Sequence, residues 1–438
     1  MLPNMGFNLG LDKLNLVIEE KCKDVAPWKI IGVTAVTTYS IMWIQDFLSD
    51  EELSVTERAK RYAFSWIRAI PMVKRKVEEE SISIRKSIEN DMNKDLANCE
   101  VYYQLPKGGR SAEEVFAEAN AYFMLGNSEW KKGSISGAVY NYNTEANKLY
   151  TDVFSLSALT NPLHPDVFPG IRKMEAEVIQ MCIDMFHGGP NACGAMSSGG
   201  TESILLACKA YRDYARRVKG IRFPEIVAPT SAHAAFVKAA QVFRMRLVLV
   251  PVDPKTYKVD MKAMKKAINR KTCMLVGSAP GFPHGVMDPI VEIAALGKKY
   301  DIPVHVDACL GGFIIPFMEE AGYPLPLFDF RVDGVTSISL DSHKYGYAPK
   351  GTSIILYSDP LYRKYQFFFA TEWSGGIYAS PTFAGSRAGA LVATCWAAMM
   401  YYGRSGYVEA TKKIAETQRY IEHEYTTINF QFYYQLNL

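Results

Sequence analysis

The chain has 438 residues, 48% hydrophobic and 22% charged, which allows two or more domains with a sizeable core and excludes a disordered chain. Lys and Arg total 49 against 46 Asp and Glu, and the net charge of +3 makes no global case for nucleic-acid binding. Eight scattered cysteines without a CxxC read as reduced, mostly buried thiols in a reducing compartment, and seven histidines without an HxxxH cluster argue against a metal site.

In chain order, residues 1–27 form a short leading segment, followed by WKIIGVTAVTTYSIMWIQDFL at 28–48. Fifteen uncharged residues lie between Lys29 and Gln45, with Trp28 and Trp43 placed like an interfacial belt. A span needs roughly 20 apolar residues, so this run is marginal, and a buried helix is the competing reading. If it is a transmembrane helix, Arg58, Lys60, Arg61, Arg68 and Lys74–Lys76 put the chain after residue 50 in the cytosol. Residues 49–106 are charge-rich and helical in pattern, as expected of a solvated juxtamembrane linker.

From residue 107 helical patterns (111–125, 172–186, 202–218, 232–243, 259–268, 288–299) alternate with short apolar strands at 225–228, 246–252, 273–278, 303–306, 334–339 and 353–357. This alternation predicts an α/β domain over 107–375, with a doubly wound, mostly parallel sheet and helices on both faces. Ligands in such sheets sit at the C-terminal ends of the strands. Helical patterns at 388–403 and 407–424 belong to a partial small domain, 376–438, which ends in an apolar, strand-like run.

Two of those strand ends carry chemistry. HVDACLGG (305–312) places Asp307 after an apolar strand, and SLDSHKYGYAPKG (339–351) places Lys344 after another. An amine to hold an aldehyde and a carboxylate to keep a pyridine nitrogen protonated are what a pyridoxal phosphate enzyme requires. Burial or a neighbouring charge that favours the neutral amine would activate Lys344, and Tyr345 and Tyr347 supply apolar surroundings. A third element is SSGGTES (197–203) ahead of the apolar-periodic Ile204, Leu205, Cys208 and Tyr211. Its glycines let backbone N–H groups approach an anion, and the hydroxyls of Ser198 and Thr201 sit where a helix begins. The run is neither GxGxxG nor GxxxxGK[ST], so dinucleotide and P-loop readings lose.

NPLHPDVFPGIRKMEAEVI (161–179), SSGGTESILLACKAYRDYAR, APTSAHAAFVKAA, HVDACLGGF, HKYGYAPKG and GGIYASPTFAGSR closely resemble the sphingosine-1-phosphate lyase family, almost continuously from about residue 100 to 425. The resemblance implies an aspartate-aminotransferase-like (type I) fold, pyridoxal 5'-phosphate, a homodimer with shared active sites, and an N-terminal anchor that makes 28–48 a single transmembrane helix of the endoplasmic reticulum, with 1–27 lumenal and the catalytic part facing the cytosol. It implies retro-aldol cleavage of a phosphorylated sphingoid base to a long-chain aldehyde and phosphoethanolamine. By the same resemblance Lys344 holds the cofactor aldehyde, Asp307 meets the ring nitrogen and His233 stacks on the ring, although His233 alone reads as a structural histidine. Ser198, Gly199, Gly200 and Thr201 cradle the phosphate with His343 beside them, and Gly375, Gly376 and Ser386 resemble phosphate ligands given by the neighbouring subunit. Lys350 and Tyr140 resemble residues that meet the substrate phosphate or assist the chemistry, and Asn161 and His164 resemble residues lining the site. Lys344 and Tyr140 are both possible bases. Family members continue well past the point where this sequence stops, which leaves open an inactive chain that binds the cofactor or a partner as a regulator, and the HxDA and HK elements shared with amino-acid decarboxylases leave that activity open as well.

Overall fold

The computed structural model describes residues 23–49, 55–94, 96, 99–126 and 129–427. The expectations for residues 1–22 and for the apolar run at 428–438 lie outside the described residues. Two compact units divide the chain, residues 1–83 and 84–438.

In the first unit, helix α1 (Pro27–Ser49) forms over the uncharged run and α2 (Val55–Ala69) follows it. Trp43, Phe47 and Tyr62 make an aromatic cluster with ring centroids 5.4–5.5 Å apart. The buried Arg58 donates from Nη1 to the Phe47 carbonyl. The predicted membrane span is corrected here: no helix among the described residues is long and apolar enough to cross a membrane. The reason is compositional, because Thr34, Thr37, Thr38 and Ser40 interrupt the apolar side chains of α1. Helix α3 (Pro71–Asn93) carries the exposed i,i+4 pairs Lys74–Glu78 and Arg75–Glu79, the pattern of a solvated helix.

The second unit begins within α3, and its first whole helix is α4 (Ala112–Phe123), whose N-terminus is closed by a capping box between Ser111 and Glu114. Then come α5 (Thr144–Ser157), α6 (Pro169–Met185), β1 (Cys193–Ser197), α7 (Gly200–Val218), β2 (Glu225–Pro229), α8 (Ala235–Phe243), β3 (Arg246–Val250), α9 (Met261–Ala267) and β4 (Thr272–Ser278). They are followed by α10 (Ile290–Tyr300), β5 (Val304–Asp307), β6 (Val335–Leu340), β7 (Ser353–Tyr357), α11 (Pro360–Arg363), β8 (Phe368–Ala370), β9 (Tyr378–Ser380) and α12 (Gly389–Thr427). Helix α12 is interrupted at Gly403, where φ is 58° and a side chain would be strained.

Seven strands form one sheet in the order β1-β7-β6-β5-β4-β2-β3, in which β7 alone runs antiparallel to its neighbours. Both faces are covered, and the strands show it residue by residue. Ile226, Ala228, Met274, Val276, Ile355 and Tyr357 pack under α7 and α8, while Val227, Leu275, Ile354 and Leu356 pack under α6, α10 and α12. The alternation of period two is that of a pleated strand between two helical layers. Each fully buried Ile or Leu contributes about 2 kcal/mol, so the sheet is rigid where it presents its strand ends. The register sets those ends level: Ser278 lies beside Asp307, and Asp307 beside Ser339.

Strand β1 does not follow from the sequence pattern. CGAMS contains no β-branched residue, and its extended state comes from pairing with β7, Cys193 opposite Tyr357. Helix α5 and the β8–β9 hairpin also lie outside the predicted elements. The seven described cysteines are free thiols, five of them buried.

Candidate active site

Three strand ends build the site. Strand β5 ends on Asp307, which is 6% exposed and whose Oδ1 accepts the Cys309 backbone N–H at 3.1 Å. Strand β6 ends just before Asp341, and the tight turn after it brings Lys344 back so that Nζ lies 3.0 Å from Asp341 Oδ2. The turn is held by Ala348 N–H donating to the Ser342 carbonyl and by the Ser342 hydroxyl donating to Thr352 Oγ1. His343 is oriented by Nδ1–H donating to the Thr352 carbonyl at 2.7 Å, which leaves Nε2 3.8 Å from Asp341 Oδ2.

This arrangement corrects one expectation. Burial works to lower the pKa of Lys344, but Asp341, Cys309 and Asp307 act against it, and the net direction is upward. The surroundings therefore favour the charged amine rather than the neutral one, because Asp341 sits three residues upstream on the same turn. Burial pushes the Cys309 thiol well up, aided by Asp307 and Asp341, so it is a neutral thiol.

The third element is the start of α7. Gly199 is extended and Gly200 opens the helix, with no side-chain cap. Ser198 does not cap it, since both its N–H and its hydroxyl donate to Glu202 Oε2, at 2.7 and 2.6 Å. The first N–H groups of α7 thus have no capping side chain, as an anion cradle requires. A Cβ at Gly200 would stand 2.6 Å from Asp341 Oδ2 and 2.9 Å from Cys309 Sγ, so only glycine lets α7 approach the turn that carries Lys344. Thr201 follows within the first turn.

A cavity of about 190 Å³ opens beside this cradle, lined among others by Ser198, Glu202, Thr352, Ser386 and Arg387. Asn161 secures that wall by donating to Ser386 Oγ at 3.1 Å and accepting the Arg387 N–H at 3.1 Å. The Arg387 guanidinium forms a two-bond pair with Glu175, at 2.5 and 2.9 Å. Ser386 thus lies beside Asn161 on the wall of this cavity.

A second cluster adjoins Lys344 through Tyr345. The Tyr140 and Tyr345 rings meet edge to face at 4.9 Å, and Lys350 Nζ lies 5.0 Å from the Tyr140 ring centre. Burial and the charge of Lys344 lower the pKa of Lys350 against the pull of Asp341. His233 exposes its ring ahead of α8, and its Nδ1 accepts the Ala235 N–H at 3.1 Å, which puts the proton on Nε2. His164 is exposed in the 161–168 turn. Gly375 and Gly376 belong to the β8–β9 turn, where Gly375 packs on Trp373.

Pyridoxal phosphate fits this set. The uncapped helix start suits its phosphate, the buried Asp307 suits a protonated ring nitrogen, and Lys344 suits its aldehyde. Asp341 Oδ1 is a buried oxygen without a hydrogen-bond partner, the kind of group that marks a ligand site. No group of three or more metal-ligating side chains occurs among the described residues. Asp341 and Cys309 are site residues that the motif reading passed over. The i,i+3 spacing of Asp341 and Lys344 is the signal for the first, and Cys309 offered none beyond its nearness to Asp307.

Residues 98–432 match the pyridoxal-dependent decarboxylase conserved domain. The sphingosine-1-phosphate lyase of Drosophila melanogaster is 50% identical over 397 residues, covering 90% of this chain and 72% of the fly protein. The chain belongs to the sphingosine-1-phosphate lyase family. Sphingosine-1-phosphate lyase 1 of Mus musculus is likewise 50% identical, over 93% of this chain and 71% of the mouse protein. The solved sphingosine-1-phosphate lyase of Burkholderia pseudomallei superposes with a TM-score of 0.71 at 41% identity, over 73% of this chain and 75% of the other. The mostly parallel α/β sheet is thus the one used by lyases of this family.

Proposed function

We propose that this protein cleaves the C2–C3 bond of sphingosine 1-phosphate and its dihydro form, releasing a long-chain aldehyde and phosphoethanolamine in sphingolipid breakdown. The observation that carries this reading is Lys344 at 3.0 Å from the buried Asp341, in the strand-end crevice that also holds Asp307. It occurs in a chain half identical to proteins named for this activity.

Pyridoxal phosphate, when bound, supplies a sink for the electron pair left by the broken carbon–carbon bond. The residues of the chain do the rest. Lys344 would hold the aldehyde until the substrate amine takes its place, and Asp307 would keep the ring-nitrogen proton in place. Ser198, Gly199, Gly200, Thr201 and His343 would hold the cofactor phosphate, and the exposed His233 ring would stack on the ring system. One group must take the C3 hydroxyl proton and another must return a proton to C2. Lys350, its pKa lowered beside Tyr140, is placed for such work with Lys344 and Tyr140. Its charged form also suits the substrate phosphate, with Asn161 and His164 on the neighbouring wall.

The reading extends to a homodimer. Phe368, Phe369, Trp373 and Ile377 are exposed on the β8–β9 hairpin around Gly375 and Gly376, an apolar edge of the kind that subunits cover. Light scattering on the purified protein tests it. A site of action at the endoplasmic reticulum, facing the cytosol, follows from the family resemblance alone, and cell fractionation is the test.

The decisive experiment is borohydride reduction of the cofactor-loaded protein, with mass mapping of pyridoxyl-lysine, beside an assay for aldehyde release. Label on Lys344 and aldehyde production, both lost in Lys344→Ala, are expected. Label elsewhere, or carbon dioxide released from amino acids instead, would overturn the proposal.

A further inference from the structure

Behind Asp307 runs a line of buried polar groups that the reaction does not use. His305, two residues earlier on β5, is fully buried in the sheet. Its Nδ1 lies 2.8 Å from Ser337 Oγ and its Nε2 3.2 Å from Ser339 Oγ, both on the adjacent β6. Tyr211, fully buried on α7, donates to Ser337 Oγ at 2.7 Å. At the other end, Ser339 Oγ donates to Asp307 Oδ1 at 3.4 Å, and the Cys309 thiol donates to Ser339 Oγ at 3.3 Å.

The donors and acceptors allow a continuous ordering, although Tyr211 O–H also lies 2.6 Å from Thr336 Oγ1. Tyr211 O–H points to Ser337, Ser337 O–H to His305 Nδ1, His305 Nε2–H to Ser339, and Ser339 O–H to the carboxylate. In this ordering Ser339 gives its own proton to Asp307 and accepts from Nε2, so His305 carries its proton on Nε2. Burial drives the pKa of His305 down to about 4, overcoming the opposing effect of Asp307, so the ring is neutral. A neutral imidazole does not cancel the negative charge of Asp307, as a cation in that place would. The bonds from Ser339 and from the Cys309 N–H both end on Oδ1, so they fix the carboxylate's orientation without engaging Oδ2.

We propose that His305 is a positioning residue for Asp307, acting through Ser339 by a one-way chain of hydrogen bonds that begins at Tyr211. The chain holds the carboxylate in one orientation and polarises it, each bond strengthening the next in a low-dielectric interior. The inference rests on the reading that pyridoxal phosphate docks at Asp307. Its chemical consequence is that the ring nitrogen of the bound cofactor stays protonated.

The test uses pyridoxal phosphate labelled with ¹⁵N in the ring, bound to the full chain, with the ring-nitrogen chemical shift read by solid-state NMR and the cofactor Kd by fluorescence titration. Ser339→Ala removes the last link, His305→Phe removes both bonds of the imidazole, and His305→Gln keeps a donor and an acceptor. The unaltered protein is expected to show a protonated ring nitrogen. Ser339→Ala and His305→Phe shift the signal toward neutral pyridine and raise Kd about tenfold, the scale of losing a hydrogen bond to a charged group. His305→Gln recovers most of both. If His305→Phe does not fold, Ser339→Ala with His305→Gln still decides. Ring nitrogen protonated alike in all folded variants, with only thermal stability lowered, would mean that the chain is merely structural and overturns the inference. Failure of the unaltered protein to bind pyridoxal phosphate would instead overturn the functional reading beneath it.

Discussion

The pair between Lys344 and Asp341 invites a double-mutant cycle on the protein free of cofactor. Its side chains are 19% and 3% exposed, so water screens the charges poorly. Asp341→Asn keeps the shape but leaves the ammonium of Lys344 without its closest counter-charge. Lys344→Met leaves the carboxylate of Asp341 in the same position. Breaking a buried pair from one side costs about 3–5 kcal/mol, whereas replacing both partners is close to neutral. Two single losses of about 3 kcal/mol each against a near-neutral double put the coupling at about 6 kcal/mol, against 0.2 to about 1 kcal/mol for exposed pairs. The pH must be chosen with the sign in mind. The folded-state pKa of Lys344 lies above its ordinary 10.5, so the stabilising contribution is fully present below pH 10.5 and fades as pH rises through the folded-state value. Urea unfolding at pH 7.5, followed by tryptophan fluorescence, reads the four stabilities within the window where the pair is intact. Coupling below about 1 kcal/mol would refute the reasoning, since the pair would then behave like a surface contact.

Other outcomes hang on single contacts. Gly200→Ala drives a methyl into the Asp341 carboxylate and Cys309, which costs about 1–3 kcal/mol by overpacking. It should abolish tight cofactor binding while leaving far-ultraviolet circular dichroism unchanged. Lys350, with its pKa lowered by burial and by Lys344, carries more neutral amine at pH 8 than a lysine at the ordinary value of 10.5. Competitive acetylation read by mass spectrometry should label it faster, and slower labelling would contradict the placement. His305, displaced from its ordinary 6.5 to about 4 by burial, binds its proton in the unfolded chain before the folded one. Stability should therefore fall as pH drops from 6.5 toward 4, by roughly 3 kcal/mol at 1.36 kcal/mol per unit. His305→Gln should remove that part of the acid slope in urea titrations from pH 7 to 4.

Strands with β-branched or continuous apolar residues, such as EIVAP and SIILY, declare themselves by composition, and both are fully buried. CGAMS does not, because its extended state is imposed by β7 rather than by its own side chains. The tryptophan-flanked run at 28–48 shows the converse error. Local pattern gave a helix correctly, but four interspersed hydroxyl residues keep it from being a span.

By itself the sequence determined the alternation of helix and strand, the two strand ends that carry Asp307 and Lys344, and the glycine turn ahead of α7. These are encoded in near-neighbour residues, where periodicity and turn chemistry act. Only the tertiary structure decided that Asp341 holds Lys344 as a charged amine, that Gly200 is required by the carboxylate of the distant Asp341, and that Ser386 rests on Asn161 of the same chain. It alone lined up Tyr211, Ser337, His305 and Ser339 behind Asp307. The physical reason is that charge balance and hydrogen-bond direction depend on which groups share a desolvated space, and strand register sets that across residues far apart in the chain.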